Sequence, residues 1–120
     1  MNPVETQSVT VCPFAEMRPG DRRVVEVDGI AILVIRLDKQ VVALKNQCSH
    51  LDFPIDDGRI IGRQIMCRRH GARFDLDSGK PLGGPAVRAI PTFPVETVDG
   101  QIVVRYSRPK EGWSFAARRC

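Results

Sequence analysis

Two short boxes, each pairing one cysteine with one histidine, constrain this chain more than any other feature of its sequence. The first box is Cys-x-His, the second is Cys-x-x-His, and sixteen residues separate them. The chain has two histidines and four cysteines, so both histidines and half of the cysteines fall in these boxes. Thiolates and imidazoles are strong metal ligands, and the pattern therefore predicts one four-ligand metal site. Its candidate ligands are Cys48, His50, Cys67 and His70.

The ligand chemistry leaves two kinds of metal centre open. One is a structural zinc ion held tetrahedrally by two thiolates and two imidazoles. The other is a 2Fe–2S cluster in which the two cysteines hold one iron and the two histidines hold the other. Zinc fingers usually place like ligands together, as a cysteine pair followed by a histidine pair. Here each box carries one cysteine and one histidine, which favours a cluster bound between two loops.

Beyond the ligands, the chain resembles the Rieske family over about residues 8–106, which is most of its length. The motifs that carry the resemblance are Cys48-Ser49-His50, Cys67-Arg68-Arg69-His70-Gly71, Ala72-Arg73-Phe74-Asp75, the turn Asp77-Ser78-Gly79 and the loop Gly83-Gly84-Pro85. The resemblance implies an all-β, antiparallel Rieske fold, with a β-sandwich-like base and a small cluster-binding subdomain. It also implies one 2Fe–2S cluster per chain.

Length and composition are those of one globular domain. The chain has 120 residues, of which 42% are hydrophobic and 27% are charged, and its net charge is +4. We expect a single Rieske domain over 1–106, with the cluster-binding subdomain at about 46–86 and a C-terminal tail at 107–120. The basic residues are scattered and only seven residues are aromatic, so no clustered patch predicts nucleic-acid binding.

Hydropathy predicts a protein of the cytoplasm with no membrane partner. No apolar run approaches the roughly 18–20 residues that span a bilayer. The N-terminal segment lacks the basic and apolar regions of a signal peptide. Cys12 lies in an apolar stretch and is expected to be a buried thiol, whereas the terminal Cys120 is expected to be exposed. A disulfide between them is not expected in a reducing compartment.

Alternating and β-branched segments separated by turn residues predict an antiparallel meander. The Asp28-Gly29 and Asp99-Gly100 pairs are two-residue hairpin signals. Residues 59–66 are expected to form a strand, with a break at Gly62 left open, and the proline- and glycine-rich residues 79–94 are expected to lack regular structure. The other predicted strands are 8–12, 23–27, 30–37, 41–45, 72–76, 95–98 and 101–105.

The residues beside the predicted ligands indicate a low reduction potential. In the Rieske family, high-potential members carry a disulfide between the two ligand loops, and a serine and a tyrosine whose hydroxyls donate to sulfur. The resemblance places Phe53 and Arg69 at the disulfide positions, and Ala72 and Phe74 at the hydroxyl positions. Phenylalanine and arginine cannot form the disulfide, and alanine and phenylalanine have no hydroxyl that could donate to sulfur. We therefore expect a reduction potential near the bottom of the family range, at about −150 mV.

The number of histidines separates an electron carrier from an oxygenase. A Rieske oxygenase also needs a mononuclear iron held by two more histidines and a carboxylate, and this chain has no further histidine. It also lacks the Gly-x-Gly-x-x-Gly fingerprint of a dinucleotide site. The resemblance therefore implies a Rieske-type ferredoxin, which is not itself an enzyme. Its implied donor is a flavoprotein reductase, and its implied acceptor is the terminal oxygenase of an aromatic-ring-hydroxylating dioxygenase system.

Other interpretations stay open at this point. The chain could be the small Rieske subunit of an assimilatory nitrite reductase, or a structural zinc-binding module. Asp75 and Asp77 are expected to be turn and loop residues, and Ser49 and Ser78 have no free histidine base that would make them nucleophiles. Five arginines near the site are expected to be solvated individually, with docking of an acidic partner as the alternative role of the group. They are Arg59, Arg63, Arg68, Arg69 and Arg73.

Overall fold

The computed structural model describes residues 6–48, 53–69, 71–83 and 88–107. This part of the chain consists of antiparallel β-strands and one 3₁₀ turn at Phe14–Glu16, which confirms the predicted fold class. Within these ranges no helix is long and apolar enough to cross a membrane. The strands are β1 (Thr6–Pro13), β2 (Arg22–Val27), β3 (Ile30–Arg36), β4 (Val41–Lys45), β5 (Arg59–Ile61), β6 (Gln64–Met66), β7 (Arg73–Asp75), β8 (Pro81–Gly83), β9 (Thr92–Phe93), β10 (Val95–Val98) and β11 (Gln101–Ser107).

The strands form three antiparallel sheets. Two of them, with strand orders β1-β11-β10 and β2-β3-β4-β9, make up the base of the protein. The third, with the order β5-β6-β7-β8, lies within residues 46–86, which the sequence predicts to be a cluster-binding subdomain. It is inserted between β4 and β9, so the chain leaves the base after β4, builds the third sheet and returns to the edge of β4.

Two Asp-Gly pairs close the hairpins of the base, as predicted. Asp28 has φ 55° and Gly29 has φ 80° between β2 and β3, and Asp99 and Gly100 have φ 50° and 80° between β10 and β11. Positive φ at both central residues is the mark of the type I′ turn, whose twist matches that of the strands it joins.

The strands β3 and β4 are buried on both faces because they separate two hydrophobic cores. Ile32 and Val34 face one core, whereas Leu33 and Ile35 face the other. This accounts for a run of apolar residues in β3 where a half-exposed strand would alternate. The base core contains Cys12, Met17, Val27, Ile32, Val34, Ala43, Phe93, Ile102, Val104 and Tyr106. The site core contains Leu33, Ile35, Val42, Leu44, Cys48, Ile55, Ile65, Cys67, Ala72, Phe74, Leu76 and Ile90.

The prediction for residues 59–66 holds only with the break at Gly62 that the sequence left open, and the prediction for residues 79–94 is wrong. Residues 59–66 form a hairpin of two strands, because the chain reverses at Gly62 and Arg63 and pairs Ile61 with Gln64. Residues 79–94 contain two strands, β8 and β9. Both are short and lie at the edge of a sheet, with Pro81 as the first residue of β8, and proline is tolerated at such positions. The predicted tail, apart from residue 107, lies outside the described residues.

Candidate metal centre

The first ligand loop begins where β4 ends. After β4, the backbone N–H of Asn46 donates to the carbonyl of Ala31 in β3, at 2.9 Å, so the chain stays attached to the base up to the loop. The N–H of Cys48 then donates to the carbonyl of Phe53 at 2.8 Å, which brings the two ends of the loop together. Cys48 is fully buried in the site core. The sequence-predicted ligand is therefore held by backbone hydrogen bonds on both sides.

The side chain of Asn46 braces the segment that follows this loop. Its Oδ1 accepts from the N–H of Ile55 at 2.9 Å, and its Nδ2 donates to a carboxylate oxygen of Asp56 at 3.1 Å. Arg22 of β2 reaches the same segment, since its Nη1 donates to the carbonyls of Asp56 and Gly58 at 2.5 and 2.6 Å. Sequence reasoning missed both residues. The only signal was an asparagine two positions before a candidate ligand.

The second ligand loop begins where β6 ends. The N–H of Cys67 donates to the carbonyl of Ala72 at 2.7 Å, and the carbonyl of Cys67 accepts from the N–H of Gly71 at 2.9 Å. These two bonds close a tight loop around position 70. Cys67 is buried in the site core beside Cys48, although the two residues are nineteen positions apart in the sequence.

The two buried thiols fit an iron–sulfur centre. Neither Cys48 nor Cys67 forms a disulfide with another described cysteine, and both come from loops that enter the same apolar core. Soft thiolates shielded from water are the donors that iron–sulfur clusters require. His50 and His70, the other two predicted ligands, lie outside the described residues, as do Ser49 and Gly84-Pro85. Elsewhere in the described ranges no group of three or more potential ligands is placed to hold a metal ion.

A cation–π contact joins the two ligand loops. The guanidinium carbon of Arg69 lies 4.2 Å from the centre of the Phe53 ring. These are the two positions to which the resemblance assigned the missing disulfide. A covalent bridge is therefore replaced by a noncovalent contact, which is worth about 0.5–1 kcal/mol at an exposed site. The sequence indicated that the disulfide was absent, but it gave no sign that the same two side chains would meet.

The two positions that lack a hydroxyl donor are fully buried. Ala72 and Phe74 lie at 0% exposure in the site core, which also contains the two cysteines predicted to be ligands. Neither side chain can donate a hydrogen bond to sulfur. Their surroundings thus agree with the low potential expected from the sequence.

The acidic residues of the third sheet have structural partners. A carboxylate oxygen of Asp75 accepts from the N–H and hydroxyl of Ser78, both at 2.8 Å, as a turn residue does. Asp77 receives two bonds from Arg63, at 2.7 and 2.5 Å, and Arg63 also donates to Gln40 at 2.7 Å. The expectation that Arg63 would be solvated individually is wrong, because its guanidinium is shared between two turns. The hydrogen bond from Arg63 lowers the pKa of Asp77 below its usual value and raises the pKa of Arg63.

Comparison with known proteins assigns the family. A family model described as Rieske [2Fe-2S] domain matches residues 7–94. The chain belongs to this family. Membership identifies the cofactor as a 2Fe–2S cluster, which rejects the zinc alternative and agrees with two buried thiols on separate loops.

Several relatives of this chain are named as ferredoxin components of dioxygenase systems. The chain is 30% identical over 94 residues to the ferredoxin component of the naphthalene 1,2-dioxygenase system of Pseudomonas putida, covering 78% of this chain and 90% of that protein. It is 32% identical over 95 residues to ferredoxin CarAc of Metapseudomonas resinovorans, covering 78% and 89%. Among solved structures, the ferredoxin of carbazole 1,9a-dioxygenase from Nocardioides aromaticivorans matches with a TM-score of 0.77 and 30% identity, covering 81% of this chain and 95% of that one.

A second structural match comes from an assembly of two redox proteins. It is a chain in the complex of reduced oxygenase and oxidized ferredoxin in carbazole 1,9a-dioxygenase. Its TM-score is 0.77 and its sequence is 30% identical, with 81% of this chain and 91% of that chain covered.

Proposed function

We propose that this Rieske protein is a one-electron carrier that passes electrons from a flavoprotein reductase to a terminal ring-hydroxylating oxygenase. The observation that carries the proposal is the burial of two thiols from two loops in one apolar core, in a chain similar to ferredoxin components of dioxygenase systems. The carrier performs no bond chemistry of its own and acts in the cytoplasm. Residues 1–106 act as one domain, with its cluster-binding part at about 46–86.

The proposed ligands are one cysteine and one histidine from each loop: Cys48, His50, Cys67 and His70. When bound, the cluster supplies a site that accepts and releases one electron. The protein's own contribution is to hold the thiolates and to exclude water from them. Ile55, Phe74 and Leu76 pack in the same core as the thiols and are at most 1% exposed. Their burial also protects the ligands from hydrolysis and oxidation.

The deciding experiment is EPR spectroscopy of the dithionite-reduced protein together with iron and zinc analysis. We expect two irons per chain, no zinc, and a reduced-state signal with an average g value below that of the free electron. A silent spectrum with one zinc per chain would reject the proposal. Cys67→Ser should lose the signal, whereas Cys12→Ala, which removes a buried thiol from the base core, should keep it.

A second measurement tests the direction of electron flow. The holoprotein is mixed with a flavoprotein reductase, a reduced nicotinamide and a terminal ring-hydroxylating oxygenase with its aromatic substrate. Product should form only when the carrier is present, and in proportion to its concentration. Product formation with the Cys67→Ser variant at the wild-type rate would contradict the proposed role.

A further inference from the structure

A row of side chains crosses the exposed face of the third sheet at its ligand end. The register pairs Arg59 with Met66, Met66 with Arg73 and Arg73 with Gly83. Directly paired residues of antiparallel strands point to the same face. Arg59 and Arg73 are exposed and flank the half-buried Met66, and Met66 is followed immediately by the ligand Cys67.

Two more arginines continue this surface into the second ligand loop. Arg68 and Arg69 directly follow Cys67, and both are exposed. Together with Arg59 and Arg73 they form a group that we name the cluster-end arginines. The group thus surrounds the place where the chain delivers one of its two thiol ligands.

The cluster-end arginines differ from other arginines of the protein in their partners. Elsewhere, Arg23, Arg63 and Arg105 form ion pairs with Glu16, Asp77 and Glu96. In the described part of the chain, none of the cluster-end arginines forms an ion pair with a carboxylate. Among the described residues, four positive charges therefore lie at this end of the third sheet with no carboxylate paired to them. Repulsion between like charges disfavours such a group, and an acidic partner would compensate it.

The nearby carboxylates are mostly engaged in other contacts. Asp75 accepts from Ser78, Asp77 is bound by Arg63, and Asp56 accepts from Asn46. Asp57 is exposed and lies two positions before Arg59. One free carboxylate against four guanidinium groups leaves this end positively charged among the described residues.

Two of the guanidinium groups are already positioned. The guanidinium of Arg73 lies against Gly83, and a Cβ added to Gly83 would be only 2.2 Å from Nη2 of Arg73. That of Arg69 lies over the Phe53 ring. Side chains fixed in this way lose less entropy when they bind, and the planar guanidinium matches the geometry of a carboxylate.

We propose that the cluster-end arginines dock on a carboxylate-rich face of a redox partner protein, with Met66 as the apolar centre of the contact. This inference rests on the proposed function and adds the chemistry of the partner's surface. Arginine and methionine are both enriched in protein interfaces, and the net charge of +4 steers an acidic partner toward the protein. Because the chain holds one cluster, the electron donor and the electron acceptor bind to the cluster-end arginines one after the other.

The test is stopped-flow oxidation of the reduced holoprotein by two haem proteins of opposite charge. Cytochrome b5 presents acidic residues around its haem and cytochrome c presents basic ones. We expect the rate with cytochrome b5 to fall as salt is added, because screening weakens the attraction. Arg59→Gln and Arg68→Gln should each lower this rate at low salt by about two- to fivefold, whereas Arg59→Lys and Arg68→Lys should preserve it.

Lys39 provides the matched control. It is exposed in the turn between β3 and β4, at the opposite end of β4 from Cys48. Lys39→Gln removes the same unit charge and should leave the rate with cytochrome b5 unchanged. Arg59 and Arg68 are chosen for substitution because neither side chain forms a hydrogen bond, ion pair or ring contact with another described residue, so the fold should tolerate the change.

The outcomes separate this inference from the proposed function. Salt-independent rates with cytochrome b5, equal effects of the Arg59, Arg68 and Lys39 substitutions, or a rate with cytochrome c that falls as salt is added would overturn the docking inference while leaving the carrier function intact. A protein without the reduced-state EPR signal would reject both, and this is seen before any kinetic trace is recorded.

Discussion

The base and the cluster-binding subdomain use the same kind of antiparallel pairing but hold themselves together differently. In the base, β1 has eight residues and β3 and β11 have seven each, whereas all four strands of the subdomain have three. Longer strands form longer hydrogen-bonded ladders and present more side chains to a core. The core beside the subdomain includes Cys48 and Cys67, the two thiols predicted to be ligands. We infer that the chain alone specifies the base, whereas the subdomain also depends on its cofactor.

The largest effect should come from removing a ligand. Cys67→Ser should lose nearly all bound iron and unfold the third sheet locally, because metal-binding energy is also folding energy. Hydrogen exchange followed by mass spectrometry should show faster exchange in β5 to β8 and unchanged protection in β3 and β11. Cys12→Ala is the control in the base core. Equal loss of protection in both regions would show that the base depends on the cofactor too.

A glycine in each region offers the next test. Gly79 has φ 78°, and a Cβ added there would lie 1.9 Å from the carbonyl oxygen of Ile90. Gly79→Ala should therefore destabilise the protein by about 3 kcal/mol or more, from backbone strain and steric overlap. Gly100 in the base has φ 80° but open space around it, so Gly100→Ala should lose only about 1 kcal/mol. Urea unfolding measures both, and similar losses would contradict the role given to close packing at Gly79.

A cation–π contact is present in each of the two regions. Arg69 lies over Phe53 between the ligand loops, and Arg36 lies over Phe14 in the base, with the guanidinium carbon 4.0 Å from the ring centre. A double-mutant cycle on Phe53→Leu and Arg69→Gln should give a coupling energy of about 0.5–1 kcal/mol in the rate of iron release to a chelator.

The equivalent substitution in the base is the control for that cycle. Phe14→Leu should lower the melting temperature slightly and leave iron release unchanged, because Phe14 packs against the base core. Additive effects of Phe53→Leu and Arg69→Gln would show that their contact does not hold the ligand loops together.

The smallest effect concerns acid pH. Hydrogen bonds from Arg63 and Arg105 lower the pKa values of Asp77 and Glu96, one pair in each region. A carboxyl whose pKa is lower in the folded state stabilises the fold above its unfolded value, and that contribution is lost as pH falls through the folded value. The melting temperature of Asp77→Asn should therefore fall less than that of the wild type when the pH is lowered below about 4. The difference should be small because the ion pair is exposed. An equal change at pH 7 and pH 3 would contradict this linkage.

Local signals explain which parts of the fold could be predicted from the sequence. The Asp28-Gly29 and Asp99-Gly100 turns and the apolar strands beside them were all visible, because each depends on neighbouring residues. The strands β8 and β9 were not, because a short strand at a sheet edge exists only through pairing with β7 and β4. The many prolines of residues 79–94 lower the strand propensity of this segment, but pairing with neighbouring strands in the folded protein overrides that low propensity.

The candidate site also has residues that the sequence could predict and residues that it could not. The spacing of the two boxes predicts all four ligands, and the structure adds that Cys48 and Cys67 are buried in the same core. Cys48, Cys67, His50 and His70 stay predictions as ligands. The contacts of Arg22, Asn46 and Arg63 could not be identified, because a guanidinium or amide finds its acceptor only after distant turns have come together. Exposed arginines carry no sequence signal that separates those with partners from those without.

The sheet that separates the two cores limits how this protein can be divided or rebuilt. Since β3 and β4 have no face left for water, excising residues 46–91 would uncover Leu33, Ile35, Val42 and Leu44 together. A truncated base would then expose a contiguous hydrophobic surface and would tend to aggregate. Grafting the ligand loops onto another scaffold would require that scaffold to provide an apolar sheet face of matching shape. The modular unit of this protein is therefore the whole domain and not the subdomain that holds the ligands.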